Sequence, residues 1–512
     1  MSTKSTTSTL PAPDAEAQWS PEKTDSGSKE EATPSTMSKE EVVVSTSSTT
    51  PGLTGWRKAL ILVMLCSSQF FDIFNGASAI AALPTIGRDL HFTQGMLQWA
   101  LAAYTLTFGS MQVPAGRLSD IYHPKPVFII GYLCVGIFSI LCGVSVQPIM
   151  LLVFRAVSGI GAAMTVPSAI AMIVINIPEP REQAKALAFY GAAGGIGNIV
   201  GFIIGGVLSV EASWRWTFHL LGMATVPFAV VSWFLLPNTA SSADSSVKRG
   251  MDIPGITILT GGLILFVYAI SDGGEAGWAT PQILTTLILS IVFFVAFFLV
   301  ERVSKDPAIP PRTWFNKNFA VMFFYAWSPY WNFMSMELLF VEVFQDIFHW
   351  SPISAAVHCI PIGITGVVSN VAVGLWGHHV PMRVQLVLGQ LGMVIGTILF
   401  ALADRPEKYW SYIVPGMIIN MIGIGPAYVG ATTVAMAGAP PGEEGVVGAI
   451  LYTSFQIGST IGIAITSSIA LSVNLKQPLD AASQFTGYAA SWWSLTAMHG
   501  LCLIFALIFV RK

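Results

Sequence analysis

The sequence predicts an all-α membrane protein with fourteen transmembrane helices. Of its 512 residues, 53% are hydrophobic and only 10% are charged, whereas a soluble globular protein carries about 25% charged residues. Apolar runs of about twenty residues recur along the chain, and each is long enough to cross the hydrocarbon core of a bilayer as a helix. Lys and Arg are distributed unevenly between alternate connecting loops, which is typical of multi-pass membrane proteins.

Fourteen apolar runs predict the helices in order. They are expected near residues 57–83, 95–115, 126–146, 149–174, 184–208, 215–236, 253–271, 281–300, 319–346, 352–376, 384–403, 411–433, 446–472 and 490–510. Residues 1–53 differ because they are rich in Ser, Thr, Pro and Glu and poor in apolar residues. This composition predicts a disordered cytosolic tail. The tail lacks the apolar core and the cleavage site of a signal peptide.

The spacing of the apolar runs predicts two bundles of six helices with an inserted pair between them. The first six-helix bundle covers residues 57–237, and a linker with the two inserted helices covers 238–300. A charged cytosolic loop follows at 301–318, and the second six-helix bundle covers 319–510. Many transporters are built from such repeated bundles.

The basic residues predict the orientation of the chain. If the helices alternate across the membrane, 15 of the 25 Lys and Arg residues fall on the side of the N terminus and five on the other side. Four more lie in the distal tail, and Arg155 lies within a helix. Because loops rich in Lys and Arg stay in the cytosol, we expect both termini to be cytosolic.

Several other classes of protein are excluded by what the sequence lacks. It has no phosphate-binding loop, no zinc-protease motif and no serine-hydrolase motif, so neither an ATP-driven pump nor an enzyme is expected. Its five cysteines are scattered through apolar runs without the spacing of metal ligands. No basic stripe indicates a nucleic-acid partner. We therefore expect no cofactor and no metal site.

Arg155 is a cation inside the fourth apolar run, and no carboxylate lies within fifteen residues of it along the chain. Placing an arginine at the centre of a bilayer costs about 2.5 to 3.5 kcal/mol on insertion scales, so such residues usually face a protein interior or a watery cavity. The small residues that follow Arg155 allow neighbouring helices to approach closely. A charge in this setting indicates a transport pathway.

The loop after the second helix resembles a signature of the major facilitator superfamily. It begins at Gly116 and ends at Lys125, and it matches the family pattern G-x-L-a-D-r-x-G-r-k at these two positions and at Asp120. Three positions between Asp120 and Lys125 depart from the pattern, including the usual basic residue after the aspartate. The resemblance implies a cytosolic gating loop that latches the two bundles together, with Asp120 as its anchor.

The fourth helix is similar to a second signature of the same family, l-x-x-x-R-x-x-q-G-x-g-a-a. Leu151, Arg155 and Gly159 match this pattern, and Ser158 replaces the usual glutamine. This is the most specific of the matches, and it places Arg155 in a functional position of the family.

The fifth helix resembles the G-x-x-x-G-P-x-x-G-G signature that is associated with antiporters. Gly197, Gly201 and Gly205 match it, but Phe202 stands where the signature has proline. The three glycines share one helical face, which favours close helix packing. The missing proline weakens the assignment as an antiporter.

Further matches narrow the resemblance to one branch of the family. They lie at Asp252–Gly255 before the seventh helix and at Gly277–Trp278 before the eighth. They resemble the fourteen-helix drug:proton antiporter branch, especially its fungal members. Within it the chain looks similar to fungal multidrug or metabolite efflux proteins and to low-affinity ammonium or borate transporter-like proteins. The resemblance implies the major facilitator fold, alternating access, and the proton gradient as energy source.

Asp72 and Arg155 are candidates for a charge network that couples transport to protons. Asp72 lies about 13 residues, roughly 20 Å, along the first helix from its cytosolic end, and Arg155 lies roughly 10 Å below the outer end of the fourth. These depths permit a contact between the two side chains. Our hypothesis is that they share an ion-pair network that proton binding loosens. The alternative is a fixed pair that only stabilises the bundle.

Glu337 is a third candidate for this charge network, because an unpaired carboxylate is hard to accommodate inside a membrane. The ninth helix also begins with several aromatic side chains, which could bind apolar or cationic solutes or could serve only in packing. The candidates for the substrate pathway are Asn75, Asn198, Tyr330, Asn332, Asn420 and Gln456.

The function predicted is secondary active transport, with proton-coupled efflux of a small organic compound such as a xenobiotic or a secondary metabolite. An alternative is transport of a small inorganic solute such as ammonium or borate, and a third is a membrane sensor that does not transport. The expected partners are the lipid bilayer and a small-molecule substrate, and the chain is expected to be a monomer. The plasma membrane is the expected location, with the vacuolar membrane as the alternative.

Overall fold

The computed structural model describes most of the chain as helices joined by short links. The described residues are 55–92, 97, 99–237, 252–304, 317–439, 443–474, 477–478 and 481–509. Every regular element in these ranges is a helix. The predicted tail at 1–53 lies outside the described residues, as do most of the linker after the first bundle and most of the charged loop before the second.

Six long helices follow one another in the first half of the chain. They are α1 (Gly55–Asp89), α2 (Trp99–Tyr122), α3 (Pro124–Gly143), α4 (Pro148–Asn176), α5 (Pro180–Glu211) and α6 (Trp214–Leu235). Proline occupies the first turn of α3, α4 and α5, where its missing N–H would have had no partner within the helix. Packing among these helices is mostly not between neighbours in the chain: α1 packs mainly on α5, α2 on α4, and α3 on both α4 and α6.

An additional pair follows: α7 (Ile253–Ala276) and α8 (Pro281–Glu301). The two helices pack on each other, and α7 also contacts α2. The remaining helices are α9 (Lys317–Tyr325), α10 (Trp327–Glu342), α11 (Pro352–His358), α12 (Ile360–Trp376), α13 (Met382–Ala401), α14 (Val414–Ala437), α15 (Glu444–Asn474) and α16 (Ala481–Phe509).

Two predicted spans of the second half are broken helices. The span 319–346 is divided between α9 and α10 at Ala326, and the span 352–376 is divided between α11 and α12 at Cys359. A proline follows each break, Pro329 in α10 and Pro361 in α12. Proline has no N–H to donate to the carbonyl four residues earlier, so the helix is interrupted just before it.

The predicted all-α fold is confirmed, because each of the fourteen predicted spans corresponds to one of these helices or to one broken pair. Four predicted ends were wrong by five residues or more. The first helix continues to Asp89 rather than 83, α2 to Tyr122 rather than 115 and α7 to Ala276 rather than 271, and α16 begins at Ala481 rather than 490. Hydropathy marks only the part of a helix that crosses hydrocarbon, whereas polar turns can extend the helix beyond it.

Twelve helices among the described residues are long and apolar enough to cross a membrane. The perimeter of the molecule is suited to lipid: Ile288, Val292 and Val295 of α8 are each 55% to 60% exposed. A contiguous apolar surface of this kind on a soluble protein would be a site of association. The protein is therefore an integral, multi-pass membrane protein.

Glycines allow α1 and α5 to approach closely. A Cβ atom added at Gly201 would lie 2.8 Å from the carbonyl oxygen of Phe74, and one added at Gly205 would lie 2.7 Å from that of Ser78. Gly197, on the same face of α5, also packs directly on the α1 backbone. Any larger residue at these positions would force the two helices apart.

The core of the second half is aromatic. Phe340 of α10 packs against Phe400 of α13 with ring centroids 4.8 Å apart, and against Trp492 of α16 at 5.1 Å. All three rings are almost completely buried. Edge-to-face and tilted pairs of this kind add stability beyond the area they bury, so they hold α10, α13 and α16 together.

Candidate functional site

Tyr104, on α2, lies between the two charges that the sequence singled out. Its hydroxyl donates a hydrogen bond of 2.5 Å to Oδ1 of Asp72 on α1. Its ring faces Arg155 on α4, whose guanidinium carbon is 5.2 Å from the ring centroid. The expected contact between Asp72 and Arg155 is therefore indirect. Together with Asn75, these residues are called the charge network below.

The environment of Arg155 compensates its charge without a carboxylate in contact. The side chain is 2% exposed, and Nη1 donates to Oδ1 of Asn75 over 3.3 Å. Aromatic faces lie on both sides of the guanidinium, Tyr104 on one side and Phe218 at 5.6 Å on the other. Aromatic quadrupoles attract a desolvated cation by about 2 kcal/mol. Among the described residues, Nε of Arg155 has no hydrogen-bond partner.

The position of Arg155 depends on close packing of α4 against α2. Gly159, one turn after Arg155, lies against the α2 backbone at Tyr104. At the same crossing the hydroxyl of Thr107 donates to the carbonyl of Ala156 over 2.7 Å. This packing brings the guanidinium within reach of the Tyr104 ring.

A small cavity of about 10 Å³ adjoins Asp72 inside the first six helices. This volume is at the lower limit for holding one water molecule. Tyr132, Thr165 and Thr225 are among its lining residues, and a buried water needs two to four polar partners. Asp72 thus borders a small space within α1–α6 whose walls are mostly apolar.

Glu337 occupies a different place from the charge network. Its Oε1 accepts a hydrogen bond of 2.8 Å from Nδ2 of Asn198. Glu337 is on α10 and Asn198 is on α5, so this bond joins the first six helices to the last group. Any movement that separates α5 from α10 has to break it.

Four aromatic side chains fill the middle of the same interface. Tyr330 of α10 stacks on Phe455 of α15 at 4.9 Å and on Tyr428 of α14 at 6.2 Å, and the hydroxyl of Tyr428 hydrogen-bonds to that of Tyr452. We call these four residues the aromatic cluster. Gln69 of α1 reaches across the interface and donates to the hydroxyl of Tyr330 over 3.4 Å.

Asp120 binds the N terminus of α15. Its two carboxylate oxygens accept hydrogen bonds from the backbone N–H groups of Gly445 and Val446, at 2.8 and 2.9 Å. The first N–H groups of a helix have no partner within it and carry partial positive charge, so they favour an anion. Gly116 lies beside this contact, where an added Cβ would be 2.5 Å from Ala449. This contact is called the latch below.

Lys125 lies against α6, with its ammonium 5.9 Å from the centre of the Trp233 ring. Gln456 lies further along the same α2–α15 crossing: a Cβ atom at Gly109 would be 2.7 Å from its Cγ. Among the predicted pathway residues, Gln456 is therefore at an interface between α2 and α15.

Asn332 and Asn420 are enclosed within the second helical group. Asn332 donates to Asn420 over 2.6 Å, and its own oxygen lies 2.9 Å from Nε2 of His499. The other imidazole nitrogen lies 3.1 Å from Ser328 and 3.2 Å from Gln390. All five residues are completely buried. They form a closed polar network in the interior and do not line the interface.

Sequence reasoning missed Tyr104 and His499. Each is a polar residue in an otherwise apolar run, which is the signal that also identified Arg155. The signal was weaker because Tyr is common at membrane interfaces and a single buried His is often a satisfied packing residue. Only the packing of α2 between α1 and α4 reveals the role of Tyr104.

These features define a multi-pass membrane transporter: two groups of helices meet at an interface that contains buried polar and aromatic side chains, and one end of that interface is held by a latch. The sequence matches the family model described as Major Facilitator Superfamily over residues 65–463. The chain belongs to this family, as predicted, and is a transporter rather than an enzyme.

The relatives include transporters of several solutes. The chain is 30% identical to the puromycin resistance protein pur8 of Streptomyces alboniger, covering 80% of this chain and 81% of that protein. It is 28% identical to the low affinity ammonium transporter of Saccharomyces cerevisiae, covering 88% of both. It is 27% identical to the efflux pump terG of Aspergillus terreus, covering 89% of this chain and 87% of the pump.

A solved structure agrees with the fold. The crystal structure of the human organic anion transporter MFSD10 (TETRAN) superimposes with a TM-score of 0.63, covering 88% of this chain and 99% of that one. At 14% identity this likeness concerns the fold alone.

Proposed function

We propose that this transporter exports a small organic compound in exchange for protons by alternating access. The observation that carries the proposal is the charge network, in which a half-buried carboxylate and a buried guanidinium are separated by one tyrosine. The efflux pump terG and the puromycin resistance protein support export as the direction of transport.

The proton-binding group of the proposal is Asp72. When ionised, it accepts the hydrogen bond from Tyr104. A proton on Asp72 removes the negative charge that holds the tyrosine hydroxyl, so the Tyr104 ring is free to move over Arg155. Burial opposes the ionised form of a carboxylate, and a nearby cation supports it, so a small movement of α2 or α4 changes the proton affinity. Protonation and helix movement are coupled in this way.

Alternating access requires an interface that opens at one end at a time. The latch closes the end that carries Asp120. The excess of Lys and Arg in the loops at that end supports a cytosolic location for it and for both termini. In this orientation the conformation described is closed towards the cytosol, and breaking the latch is the step that admits a cytosolic substrate.

The aromatic cluster and Glu337 are the proposed substrate contacts. Stacked tyrosines favour aromatic or cationic groups, and Glu337 supplies a carboxylate that accepts a hydrogen bond from Asn198. The pair also bridges the two helical groups, so a substrate that binds there displaces a contact of the closed interface. We place the transporter in the plasma membrane as a monomer, with the vacuolar membrane as the alternative.

Flux measurements in inverted membrane vesicles test this function. We expect an acid-inside pH gradient to drive uptake of one or more aromatic or cationic organic compounds from a broad panel. Uptake should collapse when a protonophore dissipates the gradient. If the flux of every compound in the panel is insensitive to the gradient, proton coupling is excluded.

A second candidate substrate is ammonium. The similarity to the yeast low affinity ammonium transporter extends over 88% of both chains, and the half-buried carboxylates Asp72 and Glu337 suit a small cation as well. The same vesicles, assayed with the ammonium analogue methylammonium, separate the two candidates. Saturable flux of methylammonium without flux of any organic compound would favour this second function.

A further inference from the structure

The interface has a second contact at the end that carries the latch, between α5 and α12. Gly374 of α12 packs directly on α5: a Cβ atom at this position would lie 2.5 Å from that of Ala188 and 3.4 Å from the Cα of Lys185. This second crossing has no latch aspartate. Its stability depends on close packing and on the charges around it.

Two histidines follow one turn beyond Gly374. A short 3-10 turn, Gly377–His379, ends α12 and carries the rings of His378 and His379 with their centroids 3.8 Å apart. Both side chains are exposed. Because α5 runs antiparallel to α12 here, Arg181 lies one turn closer to the histidines than Lys185 does. His378 interacts electrostatically with both of these basic side chains.

The charges that face this pair are mainly positive. On the α5 side they are Arg181 and Lys185, with Lys58 of α1 nearby. The carboxylate Glu182 lies 2.7 Å from Lys185 and 4.0 Å from Lys58, so it is already engaged with two lysines. Glu179 is at the N-cap position of α5, where its side chain makes no capping hydrogen bond.

On the α12 side, Arg383 at the start of α13 adds a further positive charge, and its guanidinium donates to the carbonyl of Leu507 on α16. In the described part of the chain, the ion pairs of this cluster all belong to Glu182. A proton on either histidine therefore adds positive charge to a cluster in which basic side chains outnumber carboxylates.

We propose that His378 and His379 form a pH-sensitive switch on the α5–α12 contact, which opens the latch end of the interface when they are protonated. The inference rests on the proposed alternating access and concerns its regulation. Imidazole gains its proton between pH 5 and 8, so the repulsion across the contact appears as the cytosolic side acidifies. The transporter would then admit substrate more readily in an acidified cytosol.

The expected effect is modest because the groups are exposed to water. Like charges about 4 Å apart in water repel by about 1 kcal/mol and more distant ones by less, so the ratio of open to closed molecules should change by about fivefold at most. Such repulsion is screened when the Debye length falls to about 3 Å in 1 M salt. The switch should therefore be strong at low salt and weak at high salt.

The test measures opening directly with two spin labels on the purified full-length transporter. Trp56 and Val384 are exposed, lie at the latch end on the two helical groups, and are not part of the contact. Double electron–electron resonance between labels at these sites reports the open fraction at pH 7.5 and pH 5.5. The readout needs no substrate, so it stands even if the proposed transport activity is absent.

Three variants make the test specific. His378→Asn/His379→Asn should lose this pH response of up to about fivefold, whereas the matched control His123→Asn, an exposed histidine at the same end, should keep it. Arg181→Glu should reverse the histidine contribution, because protonated imidazole then attracts α5.

Any response that comes from other carboxylates, including Asp72 and the latch residue Asp120, is common to wild type and variants, so the difference between them isolates the histidines. The proposal is overturned if the double variant responds to pH as the wild type does, or if Arg181→Glu leaves the direction and the size of the response unchanged.

Discussion

Replacing Asp120 by alanine should open the latch end of the interface. The carboxylate accepts two hydrogen bonds from the start of α15, at 2.8 and 2.9 Å, and both are lost when the helices separate. A hydrogen bond to a charged group contributes about 1.5 to 3 kcal/mol, and an anion at a helix N terminus adds about 0.3 to 1 kcal/mol. When the latch opens, hydrogen bonds to water recover part of this free energy.

We therefore expect Asp120→Ala to shift the equilibrium towards the open form by about 2 to 4 kcal/mol, which is a factor of roughly 30 to 1,000. Asp120→Asn keeps one acceptor oxygen but loses the charge, so it should have an intermediate effect. Distances between spin labels at Trp56 and Val384 measure the open fraction.

Asp89 provides the matched control. Its Oδ2 accepts hydrogen bonds from Trp214 at 2.9 Å and from Arg215 at 2.6 Å, but all three residues belong to α1–α6. Asp89→Ala should therefore lower the thermal unfolding temperature without opening the interface. The reasoning is refuted if Asp120→Ala leaves the label distances at their wild-type values, or if Asp89→Ala shifts them equally.

Three further substitutions test the buried polar groups. Tyr104→Phe keeps the ring over Arg155 but removes the hydrogen-bond donor to Asp72, so it should destabilise the ionised carboxylate by about 1.5 to 3 kcal/mol. Gradient-driven flux should then fall about tenfold or more, and unchanged flux would contradict a role in coupling. Glu337→Gln retains an acceptor for the bridging amide, so flux should fall while the unfolding temperature stays at the wild-type value; a large drop in that temperature would indicate a structural role instead. His499→Phe should cost about 1 to 3 kcal/mol for each buried group left unpaired, measured as a lower unfolding temperature, and wild-type stability would show that the network contributes nothing.

The sequence was sufficient for the fold because hydrophobic runs must match the thickness of the bilayer. Arg155 and the glycines of α5 were identified because a charge in an apolar run and a repeated small residue are both visible without tertiary structure. The breaks at Ala326 and Cys359 were not predicted, although the prolines that follow them were in view. A proline within a transmembrane run is often tolerated, so its presence alone does not predict a break.

The partners of buried polar groups could not be predicted from the sequence. Asp72 and Arg155 have compatible depths, but depth does not reveal that Tyr104 of α2 lies between them. Asn332 was expected on the substrate pathway, yet the structure encloses it with His499, 167 residues later in the chain. Packing decides which face of a transmembrane helix lies at the interface and which lies inside its own bundle.

Transport by purified protein in liposomes tests proton coupling through Asp72 most directly. Wild type and Asp72→Asn are compared in two assays: accumulation of a substrate driven by an imposed pH gradient, and exchange of labelled for unlabelled substrate without a gradient. Asparagine keeps an oxygen that accepts from Tyr104 but cannot carry the proton. We expect Asp72→Asn to retain exchange and to lose accumulation. Accumulation at the wild-type level in Asp72→Asn would contradict the account.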